Sequence, residues 1–213
     1  MDLTEVLGKA GVIPVIVIDD VGKAVPLAKA LVKGGLPVIE VTFRTAAAAA
    51  AIEAMRREVP EAIVGAGTLI AVEQVRAAKA AGAAFGVAPG FDPAVVGEAG
   101  RVQLPFCPGV ATASELSQAL GMGCRLVKFF PAEAAGGVKM IKNLLGAFRF
   151  TGVRFMPTGG VNPQNLGDYL AVPEIACCGG TWVAPKAMLE AGDFDGVARL
   201  AAEAAALVRA CGR

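Results

Sequence analysis

Residues 34–57 read GGLPVIEVTFRTAAAAAAIEAMRR. The run at 37–42 is apolar and β-branched, as in a parallel strand covered on both faces, and the alanine-rich stretch at 46–57 favours a helix. Thr45 stands where it can cap that helix through its hydroxyl. The same pairing recurs along the chain. Strand-like runs also fall at 13–18, 62–64, 84–87, 103–107, 126–130, 153–156 and 175–178, which makes eight. Helical stretches lie between them at 21–32, 72–81, 93–99, 113–120, 138–145 and 163–170, and 194–209 closes the series. Alternating buried strands and helices predict a parallel sheet with helices on its faces, and eight units predict a compact (β/α)8 TIM barrel. No linker interrupts the pattern, so a single domain over 1–213 with an N-terminal helix is expected. Gly34-Gly35, Gly82, Gly100 and Gly121 are read as helix C-caps.

Composition narrows the chemistry. The 213 residues are 55% hydrophobic and 18% charged, and there is no histidine. A Ser-His-Asp triad, a Cys-His pair and a His-ligated metal are therefore excluded, and no metal or cofactor is expected. Proton transfer falls to carboxylates, lysine, cysteine, Tyr169 or the substrate. The net charge of +1 carries no like-charged block, so no nucleic-acid partner is expected. No apolar run reaches the ~20 residues of a membrane span, and the acidic start MDLTEVLGKA lacks the form of a signal peptide. A mean hydropathy of +0.59 then reflects alanine-rich helices and a buried sheet, and a soluble cytoplasmic protein is expected. The five cysteines, with no CxxC, read as free thiols, and Cys177-Cys178 as packing residues facing opposite sides of the last strand.

Two charges stand where strands should be apolar. Of nine lysines only Lys128 lies inside a strand-like run, Leu126-Val127-Lys128-Phe129-Phe130. Side chains alternate along a strand, so Leu126, Lys128 and Phe130 share a face. On an interior face the amine is desolvated, its pKa is pushed down, and it can form a Schiff base with a carbonyl. Among nineteen carboxylates only Glu40 is embedded in an apolar strand, with Thr42 on its face and Arg44 at the strand end. A lysine and a glutamate facing each other across a barrel satisfy one another and can exchange protons with a substrate. The competing reading is a structural ion pair, which stabilises little.

Three glycine-rich segments read as turns after strands: 65–68 (GAGT), 157–160 (PTGG) and 179–181 (GGT). The last two follow the seventh and eighth strands, where barrels commonly bind phosphate through backbone amides. Arg44 and Thr68 are then free to take a carboxylate. Glu133 reads as a solvated loop carboxylate in preference to an active-site rim residue, and Trp182 and Tyr169 are expected to cap core edges.

The strings GGLPVIEVTFRT (34–45), GAGT (65–68), VKFFPAE (127–133), PTGG (157–160) and GGTW (179–182) resemble the KDPG/KHG aldolase family, in the same order and with similar spacing. The resemblance implies a class I aldolase that cleaves 2-dehydro-3-deoxy-6-phosphogluconate, a phosphorylated 2-keto acid, to pyruvate and glyceraldehyde 3-phosphate. It implies Lys128 as the Schiff-base lysine and Glu40 as the general acid/base. Arg44 and Thr68 match carboxylate-binding positions, and Pro89 and Phe130 match pocket walls. Gly159, Gly160, Gly180 and Thr181 match the phosphate end, and the family is typically a homotrimer. Thr181 and Ala88 depart from the family's commonest pattern, which has serine at both places. Remaining alternatives are 4-hydroxy-2-oxoglutarate or 2-dehydro-3-deoxy-6-phosphogalactonate as substrate, another enzyme on a similar barrel, and a non-catalytic phosphate-binding module.

Overall fold

The computed structural model describes residues 3–213. Its nine strands are β1 (Val12–Ile16), β2 (Val38–Thr42), β3 (Ile63–Gly67), β4 (Gly86–Val87), β5 (Phe106–Cys107), β6 (Gly109–Val110), β7 (Leu126–Phe129), β8 (Arg154–Pro157) and β9 (Cys178–Gly180). Ten α-helices intersperse them: α1 (Leu3–Ala10), α2 (Ala24–Lys33), α3 (Ala48–Glu58), α4 (Val72–Ala80), α5 (Pro93–Arg101), α6 (Ala113–Gly121), α7 (Gly137–Phe148), α8 (Leu166–Leu170), α9 (Lys186–Ala191) and α10 (Phe194–Ala210). Every ladder is parallel, as expected of near-continuous apolar strands joined by helices. One sheet runs β5-β4-β3-β2-β1-β9 and a second runs β6-β7-β8. The run expected at 103–107 forms only β5 at its end, and a further short strand, β6, follows Pro108, whose ring nitrogen has no hydrogen to donate to a ladder. Isolated parallel bridges, Phe155↔Ile175 and Thr158↔Gly179, join β8 to the segment around β9.

The core has two parts. The larger cluster packs the helices on the outer faces of the strands. The smaller one unites inward residues of six strands, including Ile13, Val38, Phe85, Val87, Leu126 and Met156, and is plugged from below by Leu3 and Leu7 of α1. Cys177 joins the inner cluster and Cys178 the outer one, so the adjacent thiols do face opposite sides. Two residues beyond Leu126 and Val38, on the same inward faces, come Lys128 and Glu40. The apolar floor therefore sets the level at which the chemistry begins.

Several local expectations change. Gly65 and Gly67 are not turn residues but inward positions of β3. A Cβ at Gly65 would meet the Phe85 ring at 2.3 Å, and one at Gly67 would meet Glu40 Oε1 at 2.1 Å. Gly180 likewise ends β9, with the Trp182 ring occupying the space beside it. Thr45 does not cap α3, because its hydroxyl donates to Ile18 O at 2.5 Å and the helix starts later, at Ala48. Gly34-Gly35 and Gly82 do end helices, but Gly100 and Gly121 lie within α5 and α6. Among the described residues no helix is long and apolar enough to cross a membrane.

Candidate active site

Lys128 Nζ lies 3.2 Å from Glu40 Oε1, with 5% of the lysine side chain and none of the glutamate exposed. The ladders bring them there: Lys128 stands between Gly109 of β6 and Met156 of β8, and Glu40 between Val15 of β1 and Gly65 of β3. Glu40 Oε2 is buried with no hydrogen-bond partner among the described residues. A buried charged oxygen left open is costly unless a ligand completes it. The Phe130 ring sits 5.7 Å from the lysine nitrogen, close enough for a weak cation–π contact. Cys107, adjacent in the interior, is no rival nucleophile, because burial pushes its thiol pKa far up, against the opposing field of Lys128.

The remaining expected residues surround this pair. Thr42, sharing the Glu40 face, donates to Ile16 O at 2.9 Å and ties β2 to β1. Arg44 is exposed beyond the end of β2, and its Nε donates to Thr68 Oγ1 at 3.3 Å. Thr68 follows Gly67 directly and is one of two non-glycine residues with positive φ among the described residues, at +58°. Such a conformation is uncommon for a β-branched residue and is found where surrounding structure holds it. Pro89 stacks its backbone over Gly109, where a Cβ would be 2.2 Å from the proline carbonyl carbon. Gly109 in turn pairs with Lys128, so the β4 loop forms a wall beside the lysine.

On the opposite side lies the expected anion turn. Gly159 and Gly160 have φ of +98° and +83°, a left-handed pair that side chains would strain. The Phe130 ring touches Gly159, where a Cβ would be 3.3 Å from the ring edge, so the wall of the lysine pocket continues into this turn. The Thr158↔Gly179 bridge holds the turn beside Gly180 and Thr181. Among the described residues the amides of Gly160 and Thr181 donate to no backbone acceptor. Backbone amides left open on adjacent glycine-rich segments are the kind of donors an anion can take up.

Two features of the site escaped the sequence. Thr158 is 5% exposed and its Oγ1 is buried without a partner, a second open polar atom between the lysine strand and the glycine turn. A threonine ending a strand is unremarkable in sequence, so only burial marks it. The other is Glu133, whose carboxylate accepts a hydrogen bond from Tyr169 Oη and is not simply solvated. Tyr169 itself is 1% exposed, a core residue rather than an edge cap. Among the described residues no three His, Cys, Asp or Glu side chains cluster as a metal site would require.

Comparison with known proteins agrees with this geometry. The family model for KDPG and KHG aldolase matches residues 3–200. The chain is 47% identical to 2-dehydro-3-deoxy-phosphogluconate aldolase of Treponema pallidum, over 96% of each chain. It is also 47% identical to KHG/KDPG aldolase of Escherichia coli K12, over 93% of this chain and 92% of that one. A crystal structure of KDPG aldolase from Legionella pneumophila, with pyruvate captured as a covalent carbinolamine, superposes with a TM-score of 0.89 at 41% identity, covering 93% and 96% of the two chains. The chain belongs to the KDPG and KHG aldolase family.

Proposed function

We propose that the protein is a class I aldolase that cleaves 2-dehydro-3-deoxy-6-phosphogluconate to pyruvate and glyceraldehyde 3-phosphate. One observation carries the reading: a buried lysine and a buried glutamate 3.2 Å apart, with the second carboxylate oxygen left open. Glu40 takes a proton from Lys128, and the free amine adds to the C2 carbonyl to give a carbinolamine. Glu40 returns the proton to the departing hydroxyl, water leaves, and a protonated imine remains. The C4 hydroxyl then loses its proton to Glu40, directly or through water, and the C3–C4 bond breaks. Its electrons pass to the iminium nitrogen, releasing the aldehyde and leaving an enamine. Protonation at C3 and addition of water free pyruvate and regenerate Lys128. No histidine is needed, because one carboxylate placed beside the reacting atoms can serve each transfer in turn.

The surroundings supply binding. Arg44 and Thr68 offer a guanidinium and a hydroxyl to the substrate carboxylate, with Pro89 and Phe130 as walls. Gly159, Gly160, Gly180 and Thr181 receive the phosphate through backbone amides. Glycine turns of this kind favour the phosphorylated substrate over 4-hydroxy-2-oxoglutarate.

The finer architecture belongs to the same reading. A single domain over 1–213 in the form of a closed (β/α)8 barrel is supported by the abutting of β5 and β6 at Pro108 and by the bridges from β8 to β9. Family resemblance supports a cytoplasmic homotrimer, and sedimentation equilibrium measures that mass directly.

Borohydride reduction in the presence of pyruvate should leave a covalent adduct on Lys128, located by peptide mass spectrometry. An adduct on another lysine, or full cleavage activity in Lys128→Ala, overturns the assignment.

A further inference from the structure

The Gly159–Gly160 turn has no side chains with which to fix itself. Consecutive glycines at positive φ have more backbone freedom to lose than any other pair, so an amide cradle built from them needs restraint from outside. The structure supplies it from behind. The carboxamides of Asn162 and Asn165 both donate to Gly160 O at 3.1 Å. The backbone N–H groups of Ala132 and Glu133 donate to Thr158 O at 2.8 Å and Gly159 O at 3.0 Å.

The Glu133 side chain adds a third restraint. Its stem lies against Gly160, where a Cβ would fall 2.5 Å from Glu133 Cγ and 2.6 Å from Cβ. An exposed glutamate ordinarily samples many rotamers and could not act as a wedge. This one is pinned, because Oε1 accepts the hydroxyl proton of Tyr169, itself fixed in the core on α8. The start of α7 closes in on the same pair: a Cβ at Gly137 would stand 3.1 Å from Glu133 Oε1 and 3.4 Å from the Tyr169 oxygen. Burial, and then the hydrogen bond to Glu133, push the tyrosine pKa far above its ordinary value, so the hydroxyl keeps its donor proton at working pH.

We propose that Glu133 and Tyr169 form a brace that holds the Gly159–Gly160 turn in its phosphate-receiving shape, making both of them positioning residues for phosphorylated substrates. The inference rests on the aldolase reading above. It separates two halves of the site: the brace serves the phosphate end, whereas imine and enamine formation at Lys128 does not depend on it.

The test compares cleavage of the phosphorylated substrate with exchange of the pyruvate methyl protons for deuterium, which needs the imine and enamine but no phosphate. Tyr169→Phe and Glu133→Ala should each raise KM for the phosphorylated substrate about three- to tenfold, the scale of one hydrogen bond, with kcat and pyruvate exchange held within about twofold. Glu133→Gln keeps an acceptor oxygen for the tyrosine and should stay within about twofold of wild type throughout. Because the two residues act as one unit, the double variant Tyr169→Phe/Glu133→Ala should be no worse than Glu133→Ala alone. An unchanged KM in both single variants, or parallel losses in exchange and cleavage, overturns the brace. Wild-type protein that neither exchanges pyruvate nor cleaves the substrate overturns the aldolase reading, and the brace with it.

Discussion

The Glu40 carboxylate occupies space that any side chain at position 67 would claim. Gly67→Ala would set a methyl 2.1 Å from Oε1, with the Glu40 stem also within 2.7 Å, so the carboxylate must swing away from Lys128. A misplaced general base loses most of its advantage, and kcat/KM should fall about a hundredfold or more. The overpacked strand should lose only ~1–3 kcal/mol of stability in urea titration. Full activity in a folded Gly67→Ala protein would contradict the proton-shuttling role proposed for Glu40. At this scale the sequence is informative where a residue violates its surroundings. Lys128 and Glu40 are legible because a charge in an apolar strand demands a reason. Glu133 and Tyr169 are not, because each is ordinary alone and only the fold brings them together. Thr158 is silent for the same cause.

Helices α4 and α5 are joined by a clamp at one carboxylate. Glu98, 8% exposed, accepts from Arg76 Nε at 2.7 Å and from Arg101 Nε and Nη2 at 2.8 and 2.6 Å. Hydrogen bonds from Arg101 and then Arg76 hold its pKa down at about 2, against 4.5 for a free glutamate. A lowered folded-state pKa means that the stabilisation is complete above the unfolded value and fades as pH falls from about 4.5 towards 2. The urea midpoint of Glu98→Gln should therefore lie below wild type at pH 7, and the gap should narrow through that acid window. A gap independent of pH would argue against the clamp. Element boundaries were less legible than element existence. The break at Pro108 is hidden in an apolar run, and the glycines of β3 and β9 imitate turns because the space their side chains would fill belongs to Glu40, Phe85, Thr158 and Trp182. Helix α9, only six residues long, has no long apolar period to announce it.

Across the whole molecule, the strand–helix alternation was legible because both faces of the sheet are buried, which enforces continuous apolar strands. The order in which the strands pair is set by hydrogen-bond register, which no single segment displays. The cysteines report on the packed state as a whole. Cys107, Cys177 and Cys178 are buried, with burial pushing the Cys178 thiol up to about 12, whereas Cys124 is half-buried and Cys211 exposed. Only thiolates alkylate, so iodoacetamide at mildly alkaline pH should label Cys211 quickly, Cys124 slowly, and the other three only in denaturant. Rapid native labelling of Cys107 or Cys177 would show that the interior opens far more readily than its packing implies.

Strand β1 pairs with β2 on one side and with β9 on the other, Val12 lying opposite Cys178. During synthesis on the ribosome, the second edge of β1 stays bare until Cys178–Gly180 has emerged. Contacts so distant in sequence slow folding, and an unpaired strand edge invites intermolecular pairing while it waits. The outer face of β1 is sheltered from behind by α10, which also packs on α2 and is made after β9. The pairing of β1 with β9 therefore leaves the nascent chain with an open strand edge until that distant segment arrives.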